Sequence, residues 1–283
     1  MTVLIIGGSG FLGTELVRQA VSAGRRPAAT FHSRPGSSDG ATWHHLDLRD
    51  PARLEEVLDT VAPTAVINAT SGGADWAVTA EGGIRLAQAA AERGIRLVHV
   101  SSDAIFSGTG RDWYDESCLP DPLTPYGAAK ATAETAVRLL CPHAAVARTS
   151  LIIGNGRSEH EQLVHALAAG TRQGALYTDG IRCPVHVEDL AAALWEITGS
   201  EASEAASVFH LAGPDALSRY ELGELIARRD GFDPARLPSA RRSDTGLHGG
   251  LDVRLDNRAT QQKLRTRLRG AREFLSESSP EQT

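Results

Sequence analysis

The chain has 283 residues, 41% of them hydrophobic and 23% charged, with a formal net charge of −6 at neutral pH. A domain size of about 150 residues makes this one large domain or two modest ones, long enough to bury a core and too apolar for bulk disorder. The acidic balance gives no reason to expect nucleic-acid binding, and no apolar run approaches the roughly 18 residues of a membrane span. The first apolar stretch, Val3 to Ile6, is cut short by Gly7 and Gly8 with no basic residue before it, so no secretory leader is read and cytoplasmic residence is expected. Cys118, Cys141 and Cys183 form no C-x-x-C pair and the histidines lack a ligand spacing, which argues against a disulfide framework and against a metal site.

In chain order, strands are expected at Val3 to Ile6, Pro27 to Phe31, His45 to Leu48, Ala65 to Ala69, Arg96 to Ser101 and Ala145 to Ile153, with helical stretches between them. That rhythm is the βαβ signature of a doubly wound, Rossmann-like α/β fold with a parallel sheet. Asp50 and Pro51 mark a helix start, followed by Leu54, Val57, Leu58 and Val61 at helical spacing, and Ala80 to Arg93 ends at the C-cap candidate Gly94. Residues 1–154 therefore read as a dinucleotide-binding domain. Residues 155–283 read mainly as a smaller substrate lobe, with some segments returning to the first domain. In it, helices are expected at Glu159 to Gln173, from near Glu188 and Asp189, and at Ser218 to Arg229, with a strand at Ser207 to Leu211. Pro234 to Gly250 reads as a mobile loop over the surface or the substrate, and Ser276 to Thr283 as frayed.

The first strand runs into Gly7-Gly8-Ser9-Gly10-Phe11-Leu12-Gly13, and Leu16, Val17, Ala20 and Val21 follow at helical spacing. Gly7, Gly10 and Gly13 between a strand and a helix supply a tight turn, a close approach of bare backbone to a pyrophosphate, and close packing of helix on strand. The phosphates would sit on the N–H groups of the helix start, including Phe11 and Leu12. At the end of the second strand an acid would bind the ribose 2′-hydroxyl, but the residues are Thr30, Phe31, His32, Ser33 and Arg34, and no acid appears before Asp39. Ser33 and Arg34 therefore favour NADP(H) over NAD(H). Asp47 could accept from the adenine amino group with Leu48 against the ring, or could cap the turn before Asp50. Ala69 and Thr70, at the end of the fourth strand, complete the cofactor contacts.

Tyr126 and Lys130 lie one helical turn apart in a segment rich in Ala, Glu and Leu, so both face the same way. A phenol has an ordinary pKa near 10, and a neighbouring ammonium would bring it toward the working range. Only Lys130 and Lys263 among the 29 basic residues are lysine, which singles out Lys130 for a compact, rotatable charge, here also a hold on the nicotinamide ribose. The fifth strand ends in Ser101-Ser102-Asp103 at the carboxyl edge of the sheet, where such folds bind ligands, and Ser102 is placed to hydrogen-bond a substrate carbonyl.

With Ser101-Ser102-Asp103-Ala104-Ile105-Phe106-Ser107-Gly108, Glu116, Pro125-Tyr126-Gly127-Ala128-Ala129-Lys130, Glu134 and Arg148-Thr149-Ser150, the chain resembles the extended short-chain dehydrogenase/reductases over residues 1–270, within them the dTDP-4-dehydrorhamnose reductase branch. The resemblance implies Ser102, Tyr126 and Lys130 as the catalytic triad, 24 residues separating the first two as in the family. It also implies a possible homodimer. Arg182-Cys183-Pro184-Val185-His186-Val187-Glu188-Asp189 is similar to a recurrent family segment beside the substrate. The family usually carries an aromatic residue at Ala104 and an asparagine at Thr79, and Ala104 cannot act as the acid of the dehydratase branch.

The reading that follows is an NADPH-dependent reductase of a keto group, above all the 4-keto group of a nucleotide-activated deoxysugar, with Asp103, Ala104 and Arg182 against the substrate. Arg157, Arg182, Arg241, Arg242 and Arg254 are cations available to a diphosphate, Arg182 foremost because it precedes a strand-like segment. The alternatives are a non-catalytic NADP-binding regulatory subunit, a ketone or imine reductase of a secondary-metabolite pathway, and an epimerase.

Overall fold

A computed structural model describes residues 2–200, 207–246 and 249–276. The first half of the chain gives β1 (Val3–Ile6), α1 (Phe11–Ser22), β2 (Ala28–Phe31), β3 (Thr42–His45), α2 (Pro51–Val61), β4 (Ala65–Asn68), α3 (Gly82–Glu92), β5 (Arg96–Ser102), α4 (Pro125–Leu140) and β6 (Ala145–Thr149). The second half gives β7 (Ile152–Ile153), α5 (Glu159–Ala168), β8 (Leu176–Tyr177), β9 (Ile181–Arg182), β10 (Val185–His186), α6 (Val187–Gly199), β11 (Ser207–Leu211), β12 (Leu217–Ser218), α7 (Arg219–Arg229), β13 (Ser239–Ala240), α8 (Arg258–Lys263) and α9 (Ala271–Phe274). Among the described residues no helix is long and apolar enough to cross a membrane.

Seven strands form one parallel sheet in the order β11-β6-β5-β4-β1-β2-β3. The central strands are buried throughout, because helices cover both faces. Leu12, Leu16 and Val17 of α1 and Leu190 and Leu194 of α6 pack on one side. Leu54, Val57 and Leu58 of α2, Leu86 and Ala87 of α3 and Val137 of α4 pack on the other. The strand order reverses between β1 and β4, which opens a crevice above their carboxyl ends.

Several boundaries differ from the sequence reading. The third strand is Thr42–His45 rather than His45 to Leu48. The N–H of Leu46 still donates to the Phe31 carbonyl, at 2.9 Å, but the chain then turns, with Asp50 N–H on the Asp47 carbonyl at 3.0 Å. The alternation of Leu46 and Leu48 thus marks a loop packed on the core. The stretch expected as one strand from Ala145 to Ile153 divides into β6 and β7, because Ser150 turns its hydroxyl to Asp103 (2.6 Å) and β7 pairs with β10. The helix expected to reach Gln173 stops at Ala168, where Gly170 adopts φ +71°. A π-helical turn, Ala77–Glu81, precedes α3. The stretch expected as a loop from Pro234 to Gly250 carries β13, which pairs with β8, between two 3₁₀ turns, while residues 247–248 and most of the expected frayed terminus, 277–283, lie outside the described residues.

One buried ion pair ties α4 to the sheet. Arg148 of β6 and Glu134 of α4 are 0% and 1% exposed, with Arg148 Nη2 donating to Glu134 Oε1 at 2.6 Å. Ser101 donates to the other carboxylate oxygen at 2.8 Å, and the guanidinium lies over the Phe106 ring at 5.2 Å. Arg148 also reaches the Glu116 carbonyl (3.3 Å) and the His210 ring of β11 (3.4 Å). Removing one member of a buried pair leaves the other charged and unpaired, so Arg148→Ala is expected to lose about 3–5 kcal/mol of unfolding free energy in a denaturant titration. An apolar replacement of both partners together is expected to cost far less.

Candidate active site

The crevice is built from the glycine turn outward. Gly7 has φ +80° and donates to Thr30 Oγ1 at 3.0 Å, while the Gly10 N–H returns to the Gly7 carbonyl at 3.0 Å. A Cβ on Gly13 would stand 2.1 Å from that carbonyl oxygen, so only glycine lets α1 start so close to β1. No side chain caps the first turn of α1, whose N-cap is Gly10. The backbone N–H groups there, including those of Phe11 and Leu12, are therefore available to an anion, while the Leu12 side chain is core. Beside the turn lies a cavity of about 210 Å³ lined by Gly7, Thr30, His32, Asp47, Leu48, Thr70 and Ser71. The Thr70 hydroxyl is buried there without a hydrogen-bond partner among the described residues. A steric cradle, uncapped N–H groups and an orphaned hydroxyl fit the phosphates and ribose of a dinucleotide. Ser33 and Arg34 stand exposed just past β2. Asp47 is engaged locally: its carboxylate accepts from the Arg49 N–H at 2.9 Å, which holds its pKa down, and pairs with Arg49 and with His32 (3.4 Å). Ala69 is partly buried and joins the core through the β1–β4 edge.

On the other side of the crevice, Thr124 caps α4 by accepting from the Gly127 N–H at 3.0 Å, and Pro125 occupies the first helical position. A Cβ on Gly127 would stand 2.1 Å from the Ala104 carbonyl oxygen, so this glycine lets α4 press against the turn after β5. Ser102 caps that turn, its Oγ accepting from the Ala104 N–H at 3.1 Å and donating to Asp103 at 3.4 Å. Tyr126 is thereby brought against Ser102. Burial is the largest influence on the phenol and pushes its pKa up, while hydrogen bonding with Ser102 and Ser71 opposes this. Lys130 is buried, and its ammonium donates to the Thr70 carbonyl (3.1 Å) and the Val100 carbonyl (3.0 Å). Desolvation lowers its pKa to about 8. The direction found for Tyr126 is opposite to the one expected from a neighbouring ammonium, because burial prevails and Lys130 is bound to carbonyls.

Beyond this cluster lies a second cavity of about 390 Å³, between α5 and α7, lined by His160, Leu163, Val164, Tyr177, Arg172, Arg182, Arg219 and Arg242 among others. Arg219, the first residue of α7, donates to His160 Nδ1 at 3.0 Å and has no carboxylate within ion-pair distance among the described residues. Burial, with Arg182 and Arg242 nearby, lowers its pKa to about 10 against the opposing charge of Asp103, while burial and Arg219 lower that of His160 to about 3 and keep the ring neutral. A half-buried cation whose side-chain partner among the described residues is neutral suits an anionic ligand. Arg182 also lines this cavity, but it pairs with Asp103 (3.4 Å) and donates to three backbone carbonyls. Arg254 is paired with Asp252, and Arg157 and Arg241 do not line the cavity.

The fold thus places Ser102, Asp103, Ala104, Tyr126, Lys130 and Thr70 together at the carboxyl edge of the sheet. The sequence reading missed Ser71, His160 and Arg219. In a chain where nearly every basic residue is arginine, the only signal for Arg219 was its place right after the helix cap Ser218.

The sheet order, the glycine turn and the Ser–Tyr–Lys cluster define a dinucleotide-binding α/β protein of the Rossmann type. The chain belongs to the RmlD substrate binding domain family, whose model matches residues 1–279. A dTDP-4-dehydrorhamnose reductase of Mycobacterium tuberculosis is 32% identical over 248 residues, covering 83% of this chain and 77% of that protein. A probable low-salt glycan biosynthesis reductase of Haloferax volcanii is 29% identical over 261 residues, covering 86% and 85%. Among solved structures, a hypothetical dTDP-4-dehydrorhamnose reductase from Sulfolobus tokodaii superposes with a TM-score of 0.79 at 25% identity, covering 95% of this chain and 97% of that one.

The glycine turn yields a direct expectation. Gly13→Ala forces its Cβ into the Gly7 carbonyl and should displace the start of α1, lowering affinity for a dinucleotide by about tenfold or more at a cost of roughly 1–3 kcal/mol in stability. Titration of NADPH fluorescence and thermal unfolding measure the two effects.

Proposed function

We propose that the protein is an NADPH-dependent reductase of the 4-keto group of a nucleotide-activated deoxysugar. The observation that carries the reading is the Tyr126–Ser102 pair with buried Lys130 behind it, set between a dinucleotide cradle and a cavity holding a half-buried cation that has no carboxylate within ion-pair distance among the described residues. The names of the relatives, reductases of dTDP-linked keto sugars among them, support it. Arg34, with no acid between Thr30 and Asp39, favours the 2′-phosphate of NADP(H) over NAD(H). A dimer and cytoplasmic residence are part of the same proposal.

Bound in the crevice, the reduced nicotinamide supplies the hydride that a ketone accepts at carbon. The chain's own residues manage the oxygen. Ser102 donates a hydrogen bond that orients the carbonyl, and Tyr126 hands over its proton as negative charge develops there. The upward shift of the phenol keeps it protonated at neutral pH, the state a proton donor needs. Lys130, fixed by the Thr70 and Val100 carbonyls, holds its charge at the edge of the cofactor cradle, where the ribose would lie. The diphosphate of the substrate lies in the second cavity, with Arg219 as its cation.

NADPH oxidation followed by absorbance, with a panel of nucleotide 4-keto sugars, tests the reading. Tyr126→Phe should lower kcat by about 10²- to 10⁴-fold with cofactor affinity largely kept. Full activity in that variant would remove the assignment, and tight NADPH binding without turnover of any keto sugar would favour the regulatory-subunit reading. The pH profile has a defined sign. Lys130 is charged below its pKa of about 8, so kcat/KM should be level through neutrality and fall as pH rises through about 8, ahead of any loss of the phenol proton.

A further inference from the structure

Resting on the proposed function, we infer that Arg182 is a positioning residue, a clamp joining the catalytic turn to the strand segment over the substrate cavity, and that Arg219 rather than Arg182 holds the substrate's diphosphate. Arg182 has five N–H groups, and the protein takes most of them. Nη1 donates to the carbonyls of Ile181 (2.6 Å) and Leu251 (3.0 Å), and Nη2 to that of Gly250 (2.7 Å). Its Nε faces Asp103 Oδ2 at 3.4 Å, a carboxylate already fixed by the Ser150 hydroxyl at 2.6 Å and touched by Ser102. The charge of Arg182 is therefore answered inside the protein.

The connections on either side give the clamp its effect. The N–H of Ile181 donates to the Leu251 carbonyl at 2.8 Å and that of Val253 to the Ile181 carbonyl at 3.2 Å, so the segment 250–253 runs beside β9. The same segment lies on the loop after the catalytic turn, where a Cβ on Gly108 would stand 2.9 Å from the Asp252 carbonyl oxygen. On its other edge β9 pairs with β12, which ends at Ser218, the cap immediately before Arg219. Arg182 thus stands between Asp103, the neighbour of Ser102, and the strand pair that delivers Arg219. The keto carbon and the diphosphate of one substrate must fit both ends at once, and Arg182 sets their separation. Displacing reacting groups by about 1 Å costs on the order of 10²-fold in rate, whereas losing a cation from a phosphate costs binding.

Three variants separate the two roles: Arg182→Lys, Arg182→Met and Arg219→Met, each measured for kcat, KM for the keto sugar, and Kd for dTDP and UDP by calorimetry. Lysine keeps a charge for a phosphate but cannot donate to three carbonyls in a planar fork. The clamp requires Arg182→Lys to lower kcat by about 10- to 100-fold with KM and the diphosphate Kd within about threefold, and Arg219→Met to raise that Kd by at least about 30-fold. An Arg182→Lys enzyme that keeps kcat within about twofold, or an Arg182→Met chain that loses the diphosphate as Arg219→Met does, overturns it. Should Arg182→Met fail to fold, Arg182→Lys decides alone. If the unaltered protein reduces no keto sugar, the functional reading fails separately, and the diphosphate Kd of the Arg182 and Arg219 variants still decides which arginine is the ligand. If it binds neither dTDP nor UDP, both proposals fall.

Discussion

The ion pair between Glu134 and Arg148 is the constraint from which the site's geometry follows. Tyr126, Lys130 and Glu134 are spaced by four residues along α4, so fixing Glu134 fixes the rotation of the helix and with it the direction of the other two. Arg148 in turn is held by a strand, by the Glu116 carbonyl and by the stack with Phe106, so the helix is referred to the most rigid part of the molecule. Such a pair is expensive to desolvate and is a weak source of net stability. Its value here is orientation, because any slip of α4 would leave two full charges unpaired in the core.

The two halves of the crevice handle charge in opposite ways. On the cofactor side the protein offers backbone N–H groups and a buried ammonium that donates to two backbone carbonyls. On the side of the second cavity Arg182 is paired with Asp103, while Arg219 has a neutral imidazole as its side-chain partner among the described residues. A site with positive charge hydrogen-bonded to neutral partners at both ends and neutral hydroxyls between them, Ser71, Ser102 and Tyr126, is organised for a ligand pair that is anionic at its extremities and reacts in the middle.

The alternation of strands and helices in the first half, the glycine turn, the Asp50 cap and the Tyr–Lys spacing were legible because each is local: a period, a φ or a cap is written within a few residues. What escaped the sequence depended on distant partners. Leu46 and Leu48 alternate like a strand, yet the sheet has no further register for them past His45. Ser150 breaks β6 from β7 because Asp103 stands 47 positions away in sequence and within 2.6 Å in space. Arg219 looked like any other arginine until its place in the cavity wall beside His160 set it apart. The phenol's shift was misjudged in sign for the same reason, since the depth of burial at residue 126 is a property of the packed helix.

The return of β11 to the sheet divides the second half of the chain in two. The chain leaves after β6, lays down one wall of the second cavity with α5, comes back as β11 to lie parallel against β6 with five residues in register, placing His210 beside Arg148, and leaves again to build the other wall with α7. The cavity is therefore assembled from two excursions of the chain with a sheet strand sewn between them, so no single stretch carries it whole. A lineage that replaced the cavity wholesale would have to carry β11 along, unpicking the edge of the sheet and taking His210 from the side of Arg148.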